Sequence, residues 1–213
     1  MKKTNIRRAT LGRLPMYLQY IRENVDRPTI SASKIAQGLG LGEVQVRKDL
    51  SMVCDAGKPK IGYETSVLKS CIETVLGTND VTPVIIIGAG RLGQALLGYN
   101  GFREYGLDIL AAFDKDPDKA GKKIYGKMIY PMEQLREYCM HNGVNIAALT
   151  VPAEEAQGAT DFAVESGITA IWNFAPFHIS VPSDVCVKHE NLALSLAHLN
   201  ISANGGDSRE ENA

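Results

Sequence analysis

The sequence predicts an α/β protein with two unlike domains, an N-terminal winged helix-turn-helix and a Rossmann-type parallel sheet. Residues 1–80 show helical periodicity, whereas short apolar runs alternate with helical stretches from Val84 onward. A glycine-rich loop follows the first of these apolar runs. Residues 1–80 carry a net charge of +5 and residues 81–213 a net charge of −6, within a total of −1. We therefore predict a first domain over 1–80, a second over 81–190, and a terminal helix and tail over 191–213.

The composition excludes several classes of protein. No stretch reaches the roughly 18 apolar residues of a membrane span, and the basic N-terminus leads into no apolar signal core. The four cysteines form no C-x-x-C pair, and the four histidines lack metal-ligand spacing. We expect a soluble cytoplasmic protein with no membrane partner, no metal and reduced, buried thiols.

The N-terminal domain opens with a long amphipathic helix and a short one. Apolar residues recur at three- and four-residue steps at Leu11, Leu14, Leu18, Ile21 and Val25. Ser31 can cap a short helix through about Gln37, and the following turn has glycine at 38, 40 and 42.

A second helix, from about Glu43 to Cys54, completes a helix-turn-helix. Val46 and Leu50 face the core, and the opposite face carries a basic pair, Arg47 and Lys48. Such a helix enters the major groove of DNA. Two questions remain open. The unit could instead be a plain helical bundle with a solvated basic face. If it binds DNA, Arg47 could read guanine or could only hold phosphate.

The segment from Gly57 to Tyr63 suits a β-wing, since two lysines stand among glycines and a proline. A helix from about Thr65 to Leu76 then closes the domain. The wing and the positive charge favour DNA binding over the plain bundle. The predicted DNA-contacting residues are Gln45, Arg47, Lys48, Ser51, Lys58, Lys60, Gly62 and Tyr63.

The glycine-rich loop, Gly88 to Gly93, lies between the apolar run at 84–87 and a helical stretch. In a G-x-G-x-x-G loop at this place, Gly88 permits the tight turn and Gly90 lets a pyrophosphate approach the backbone. Gly93 lets the helix pack closely. The helix N-terminus offers free N–H groups to the phosphates, and Arg91 can add a direct contact.

A second strand, at 109–113, ends in Asp114, which lies 21 residues beyond Gly93. This spacing is typical of a carboxylate that binds a ribose hydroxyl, and it favours NAD(H) over the 2′-phosphorylated cofactor. Two further strands, at 146–150 and 170–174, end beside the same carboxyl edge of the sheet. The predicted cofactor-binding residues are Gly88, Ala89, Gly90, Arg91, Leu92, Gly93, Asp114, Lys115, Thr150, Val151, Pro152, Asn173, Phe174, Ala175 and Pro176.

A last helix, at about 192–199, has Leu192, Leu196 and Leu199 on one stripe. It can pack on its own domain or on a second copy of the chain. The residues after 204 are polar and are expected to fray.

Together these motifs resemble the Rex family of redox-sensing transcriptional repressors, and the resemblance spans nearly the whole chain. The segments that carry it are residues 13–18, 44–51, 62–63, 88–93, 113–117, 150–152 and 173–176. It implies a homodimer with a domain-swapped C-terminal helix. It also implies that the dimer binds an inverted-repeat operator when NAD⁺ is abundant, and that NADH weakens DNA binding.

The sequence departs from the family pattern at its switch. The family has a basic residue where Gln19 stands and an acidic residue where Asn191 stands, and that acid exchanges between the basic residue and a tyrosine matching Tyr99. The wing, at 58–63, also differs from the usual form. A Rex-like protein with a lost or altered NADH response is therefore an alternative.

Three other functions remain open. An NAD-dependent dehydrogenase would need a catalytic group, for which His178 is the one candidate acid or base. A related nucleotide fold could bind CoA on the same loop. A third possibility is a DNA-binding protein whose second domain only dimerises.

Overall fold

The computed structural model describes residues 6–78 and 81–203 of the 213-residue chain. The tail predicted to fray, and part of the predicted boundary at residue 80, lie outside these ranges. The chain forms two compact units. The first comprises residues up to Val81 together with Gly101–Leu107, and the second comprises Thr82–Asn100 and the chain from Asp108 onward. The segment Gly101–Leu107, predicted as part of the second domain, thus packs with the first.

The first unit is a four-helix arrangement with a small antiparallel sheet. Its elements are α1 (Arg8–Glu23), β1 (Thr29–Ile30), α2 (Ala32–Leu39), α3 (Glu43–Val53), β2 (Tyr63–Glu64) and α4 (Thr65–Leu76). One apolar core joins the four helices, and Leu14, Ile35, Leu50 and Leu68 are each fully buried in it.

The capping residues predicted from the sequence bound the first helix of the helix-turn-helix. The Ser31 side chain accepts a hydrogen bond from the Lys34 N–H and caps α2, which ends at Gly40 with a φ of +66°. The apolar stripe of α1 is narrower than predicted. Leu11 is 38% exposed, and Val25, which lies beyond the helix end, is 56% exposed.

The second unit is a seven-stranded sheet with helices. Its strands are β3 (Thr82–Ile87), β4 (Leu107–Asp114), β5 (Lys123–Ile124), β6 (Lys127–Pro131), β7 (Ile146–Leu149), β8 (Ala170–Asn173) and β9 (Cys186–His189). Its α-helices are α5 (Arg91–Gly98), α6 (Leu135–Asn142), α7 (Ala153–Glu165) and α8 (Leu192–Ala203), and a short 3-10 helix covers Met132–Gln134. A second 3-10 helix, Asn100–Tyr105, lies almost wholly in the segment that packs with the first unit.

The strand order is β5-β6-β4-β3-β7-β8-β9. Strand β7 is parallel to β3 and to β8, β9 is parallel to β8, and β4 is parallel to β6. The chain runs outward from β3 to one side through β4 and later to the other side through β7. A doubly wound sheet has its ligand crevice at such a switch point, beyond the carboxyl ends of the strands.

Three strands of the second unit were not predicted from the sequence. Strands β5 and β6 form a short antiparallel hairpin in a lysine-rich stretch, and β9 is an edge strand with little burial. None of them shows the apolar run or the strict alternation by which a strand is recognised.

Helix α8 is longer than predicted and buries none of its residues. Its leucines at 192, 194, 196 and 199 are each at least 51% exposed. Of the two alternatives for this helix, packing on its own domain is therefore not what the single chain shows.

None of the helices in the described ranges combines the length and apolarity of a transmembrane segment.

Candidate functional site

The glycine loop between β3 and α5 has the geometry that a phosphate-binding turn needs. Gly88 has a φ of +96°, and a Cβ built there would lie 2.9 Å from Val151 Cγ1. A Cβ at Gly93 would lie 2.0 Å from the Gly88 carbonyl oxygen. Both positions therefore require glycine. At Gly90, by contrast, a Cβ would meet no described atom within 4 Å. The backbone there faces open space, as a pyrophosphate site demands.

Neighbouring groups hold the loop rigid. The Thr150 hydroxyl donates a 2.7 Å hydrogen bond to the Gly88 carbonyl, and Gln94 Nε2 donates one of 2.9 Å to the Ala89 carbonyl. The Gly88 N–H donates to the Phe113 carbonyl at 2.7 Å. Thr150, predicted to contact the cofactor, thus positions the loop from the end of the adjacent strand.

Asp114 ends β4 beside the loop and is 7% exposed. One carboxylate oxygen accepts from the Ala89 N–H at 2.7 Å and from Lys119 Nζ at 3.0 Å. The other accepts from the Asp116 N–H at 2.9 Å. Burial alone would raise the pKa of Asp114. The hydrogen bonds from Asp116, Lys119 and Ala89 outweigh burial, so its pKa lies below the usual value and the group is ionised at neutral pH.

A cleft of about 990 Å³ lies between the loop, Asp114 and α7. The predicted residues that line it are Gly88, Gly90, Asp114, Lys115, Thr150, Val151 and Pro152. Four of the others, Ala89, Arg91, Leu92 and Gly93, belong to the loop and to α5 without lining the cleft. Arg91, the first residue of α5, is exposed. Lys115 forms an ion pair with Glu155 at 2.8 Å.

The cleft also contains residues that sequence reasoning missed. Lys119 sits beside Asp114, while Gly158, Ala159 and Phe162 line the cleft from α7. Acidic and basic residues are mixed after Asp114, so their spacing alone does not single out Lys119. The α7 residues match the ordinary apolar pattern of a helix and carry no motif.

A smaller cleft, of about 500 Å³, lies at the carboxyl ends of β8 and β9. Phe174, Ala175 and Pro176 line it together with His178 and His189. The fourth predicted residue, Asn173, is fully buried, and its amide bonds the Ala175 N–H, the Phe177 carbonyl and His189 Nδ1. Asn173 therefore fixes the conformation of the loop at Phe174–Phe177 through these hydrogen bonds and does not line the cleft.

The outer face of α3 presents the predicted DNA-contacting side chains. Arg47, Lys48 and Ser51 are exposed, and Arg47 pairs with Glu43 one turn earlier. Gln45 is also exposed, and its Nε2 donates a 3.1 Å hydrogen bond to Asp49.

Asp49 anchors this helix from its inner face. The carboxylate is 1% exposed and accepts from Arg13 Nε at 2.7 Å, Arg13 Nη2 at 3.0 Å, and the Tyr17 and Thr10 hydroxyls at 2.8 Å each. All three partners belong to α1. Burial acts to raise the pKa of Asp49, but the bonds from Arg13, Tyr17 and Thr10 prevail and lower it. The network fixes α3 against α1.

The wing is a tight turn between Lys58 and Gly62, closed by two backbone hydrogen bonds of 2.8 and 2.9 Å. Lys58 and Lys60 are exposed on it. Gly62 has a φ of +90°, and a Cβ there would lie 2.4 Å from the Ile30 carbonyl oxygen, so this glycine is required by packing. Tyr63 is 8% exposed and belongs to the core of the unit, which makes its ring unsuited to the DNA contact predicted for it.

Of the three predicted switch positions, two form hydrogen bonds within or beside their own helix, and the third is an exposed tyrosine. Gln19 Nε2 donates to Glu23 in its own helix at 3.1 Å. Asn191 Oδ1 accepts from the Leu194 N–H at 2.9 Å and caps α8. Tyr99 follows α5 directly and is 59% exposed.

A helix-turn-helix unit with a wing, joined to a unit with a glycine-rich nucleotide loop, defines a two-part class of DNA-binding protein. Residues 5–51 match the family described as "Putative DNA-binding protein N-terminus", and residues 79–177 match the family described as "CoA binding domain".

Relatives named "Redox-sensing transcriptional repressor Rex" align along most of the chain. The protein from Treponema denticola is 44% identical, with 92% of this chain and 94% of the relative covered. The one from Carboxydothermus hydrogenoformans is 39% identical over 92% and 95%.

Solved structures give the same result. A structure described as RSP in complex with β-NAD⁺ and operator DNA matches with a TM-score of 0.87 at 32% identity, covering 96% of this chain and 95% of that one. Its complex with β-NADH matches with a TM-score of 0.83, covering 96% and 97%. The chain belongs to the Rex family of transcriptional repressors. The predicted fold class is thereby confirmed.

Proposed function

We propose that this protein is a redox-sensing transcriptional repressor: it binds operator DNA as a homodimer and binds NAD(H) at the glycine loop, and NADH weakens its hold on DNA. The observation that carries the proposal is Gly90. Gly88 and Gly93 are tightly packed, whereas Gly90 lines the cleft beside Asp114 and has open space where a Cβ would stand. Family membership agrees with this ligand, since the RSP relative has been solved with both β-NAD⁺ and β-NADH.

In the proposed complex, the pyrophosphate lies over Gly90 and the N-terminus of α5, where free N–H groups and the helix dipole favour an anion. The adenosine half occupies the larger cleft, with Asp114 accepting from a ribose hydroxyl. The nicotinamide half lies toward the smaller cleft at Phe174–Pro176. A phosphate on the ribose, as in NADPH or CoA, would meet the ionised Asp114 carboxylate, although Lys119 partly offsets this repulsion.

On the DNA side, α3 enters the major groove, with Arg47 and Lys48 toward the duplex and Lys58 and Lys60 on phosphates. A two-fold dimer would place two such helices in half-sites about one DNA turn, roughly 34 Å, apart. The apolar surface of α8, which is exposed in the single chain, is the dimer contact in this proposal, as a swapped helix would be. NADH acts by binding more tightly to a dimer state whose helices do not match the two half-sites.

Nucleotide binding is tested by thermal shift and calorimetry with NADH, NAD⁺, NADPH and CoA. We expect both NADH and NAD⁺ to bind, with NADPH and CoA weaker. Stabilisation follows the ratio of ligand concentration to Kd, about 2.7 kcal/mol at a hundredfold excess over Kd. If CoA alone binds, the ligand assignment is wrong. If none of the four binds, the second unit serves only for dimerisation.

We further propose that the protein is not an enzyme and that it acts in the cytoplasm, with the DNA it regulates. The relatives are named as repressors. The one candidate acid or base, His178, stacks on His189 with ring centroids 4.6 Å apart. Steady NADH formation from a panel of alcohols and hydroxy acids would show instead that the protein is a dehydrogenase.

A further inference from the structure

We infer that Arg22 is the positioning residue through which the nucleotide loop and the recognition helix act on each other. It ties the segment Gly101–Leu107 to α1, and α1 in turn holds α3. The inference rests on the proposed function, because it names the internal route by which NADH would change DNA affinity.

The segment Gly101–Leu107 has an unusual place in the chain. It packs in the first unit, although Asn100 before it and Asp108 after it belong to the second. The helix that leads to it, α5, begins at Arg91 directly after Gly90, and the strand that leaves it, β4, ends at Asp114. Helix α5 therefore leads from the nucleotide loop to the segment, and β4 leads from the segment back to Asp114 beside the loop. In the inferred route, a displacement of the loop by its ligand reaches the segment through these two elements.

Arg22 fastens the segment to two helices of the first unit. Its Nη2 donates to the Glu104 carbonyl oxygen at 2.6 Å and to Glu73 Oε1, in α4, at 3.0 Å. The guanidinium carbon lies 5.6 Å from the centroid of the Tyr105 ring. One planar group thus binds a backbone carbonyl, a carboxylate and an aromatic ring, a combination that a lysine ammonium cannot reproduce.

The contact has room for a second arrangement. Arg22 Nη1 is buried and makes no hydrogen bond to any described residue, while Glu104 Oε2 lies 3.8 Å away, at ion-pair distance. A buried donor without an acceptor is unfavourable, so a small shift of the segment that brings this carboxylate closer would be stabilised. Coupling between two sites requires an element with two arrangements that both sites can bias, and the inference assigns that role to this contact.

Helix α1 carries the effect onward. Arg22 lies in its last turn, and Arg13 and Tyr17, earlier in the same helix, donate to the buried Asp49 of α3. The route from the segment to the recognition helix consists of one helix with a polar anchor at each end.

The test compares the intact protein with Arg22→Gln. Operator Kd is measured by fluorescence anisotropy at saturating NADH and without nucleotide, with a duplex selected from a random pool by the NAD⁺-bound protein. NADH Kd is measured with and without that duplex. We expect both ratios to fall toward one by about 2-fold to 30-fold. The two must fall together, because coupling between two ligands is reciprocal. A purely structural role would weaken binding without this matched change.

Two variants calibrate the result. Lys69→Gln removes a cation 3.9 Å from the same Glu73 carboxylate without touching the segment, and it should keep the ratios of the unmodified protein. Arg22→Lys keeps the charge but loses the fork, and it should give intermediate ratios.

Unchanged ratios in Arg22→Gln would overturn the inference. If that variant unfolds, Glu104→Gln takes its place, because it removes the carboxylate and leaves the carbonyl acceptor. Reduced ratios then support the inference, and unchanged ratios overturn it. A natural-sequence protein that shows no NADH effect on operator Kd contradicts the proposed function itself, and the inference falls with it. An NADH effect that survives in both variants overturns the inference alone.

Discussion

At the scale of single residues, the glycine loop contains two positions that look alike in sequence and differ in structure. Gly90→Ala adds a methyl group into open space at an ordinary φ of −74°, so the fold should tolerate it. The same methyl group would stand where a pyrophosphate approaches the backbone. We expect a thermal midpoint close to that of the unmodified protein and a loss of NADH binding by at least about tenfold, or roughly 1.4 kcal/mol.

Gly93→Ala is the matched contrast. Its Cβ would lie 2.0 Å from the Gly88 carbonyl oxygen, so the loop must move and stability should fall by about 1–3 kcal/mol. Circular dichroism melts and NADH calorimetry of both variants separate the two effects. Normal NADH affinity in Gly90→Ala would refute the assignment of this loop.

Asp49 supplies a second prediction at this scale. Asp49→Asn leaves Arg13 and Tyr17 without a buried anionic acceptor, and we expect a loss of about 2–3 kcal/mol in the stability of the first unit. Urea unfolding followed at several pH values measures it. Tyr17→Phe, which removes a single donor, should cost about 1 kcal/mol.

The sign of the pH dependence follows from the lowered pKa of Asp49. A lowered pKa in the folded state means that the contribution is present above the ordinary value of 3.8 and is lost as pH falls below it. On the alkaline side, burial and the bond to Asp49 raise the pKa of Tyr17 from 10.0 to about 12, so stability should also fall as pH rises through that interval. Asp49→Asn should flatten the acid limb. An acid limb as steep as that of the unmodified protein would exclude Asp49 as its source.

At the scale of elements, the recognition helix leaves one question that binding data can answer. If Lys48 holds phosphate, Lys48→Ala should weaken all duplexes alike and lower the salt slope by about one per subunit. If Arg47 reads guanine, Arg47→Ala should cost about 1–3 kcal/mol on the selected duplex and relax its sequence preference. Lys69→Ala in α4 is the control for loss of charge. Equal affinities for all three variants would mean that the basic face of α3 is solvated and does not contact DNA.

Helix α8 is an apolar helix that buries none of its residues against the described part of the chain. Leu196, 67% exposed, lies on an apolar stripe, while Ser195 lies on the polar one. If α8 is the dimer contact, Leu196→Asp should dissociate the dimer, because each copy loses roughly 1.5–3 kcal/mol of apolar burial and gains a charge in the interface. Ser195→Asp should not. Sedimentation equilibrium measures both, and a dimer that survives Leu196→Asp would place the contact elsewhere.

The sequence was most informative where local chemistry determines structure. The Ser31 cap, the start of α4 at Thr65 and the apolar run of β3 each depend on neighbouring residues, and the structure has them as predicted. The edge strand β9 and the position of Gly101–Leu107 depend on long-range packing, which leaves no periodic signal. For the same reason the sequence predicts Tyr63 as a wing residue, although its ring is buried in the core of the first unit.

The candidate nucleotide site divides in the same way. Motif spacing was enough to bring Gly88, Gly90 and Asp114 to one cleft. It could not indicate that Lys119 shares the Asp114 carboxylate, or that Phe162 lines the cleft from α7. These residues come together only because the fold brings the end of β4 and the helix α7 to the same cleft.

At the scale of the whole molecule, the protein has two units of opposite net charge. The first is basic and presents α3, and the second is acidic and holds the nucleotide loop. Gln19 and Asn191 are neutral, and each bonds locally, so the charged pair that the family resemblance implies at these positions is absent here. The inferred Arg22 contact is a different route between the nucleotide loop and the recognition helix of this chain. A ligand moves such an equilibrium only by its difference in affinity for the two states.

In the proposed function, NADH releases this protein from DNA more than NAD⁺ does. The direct measurement is operator Kd by fluorescence anisotropy, at one salt concentration, with each nucleotide at saturation. We expect a Kd in NADH that exceeds the Kd in NAD⁺ by about 5-fold or more, the lower end of ordinary coupling between sites. Equal Kd values with both nucleotides bound would contradict it and would leave a Rex-family DNA-binding protein that has lost its redox response.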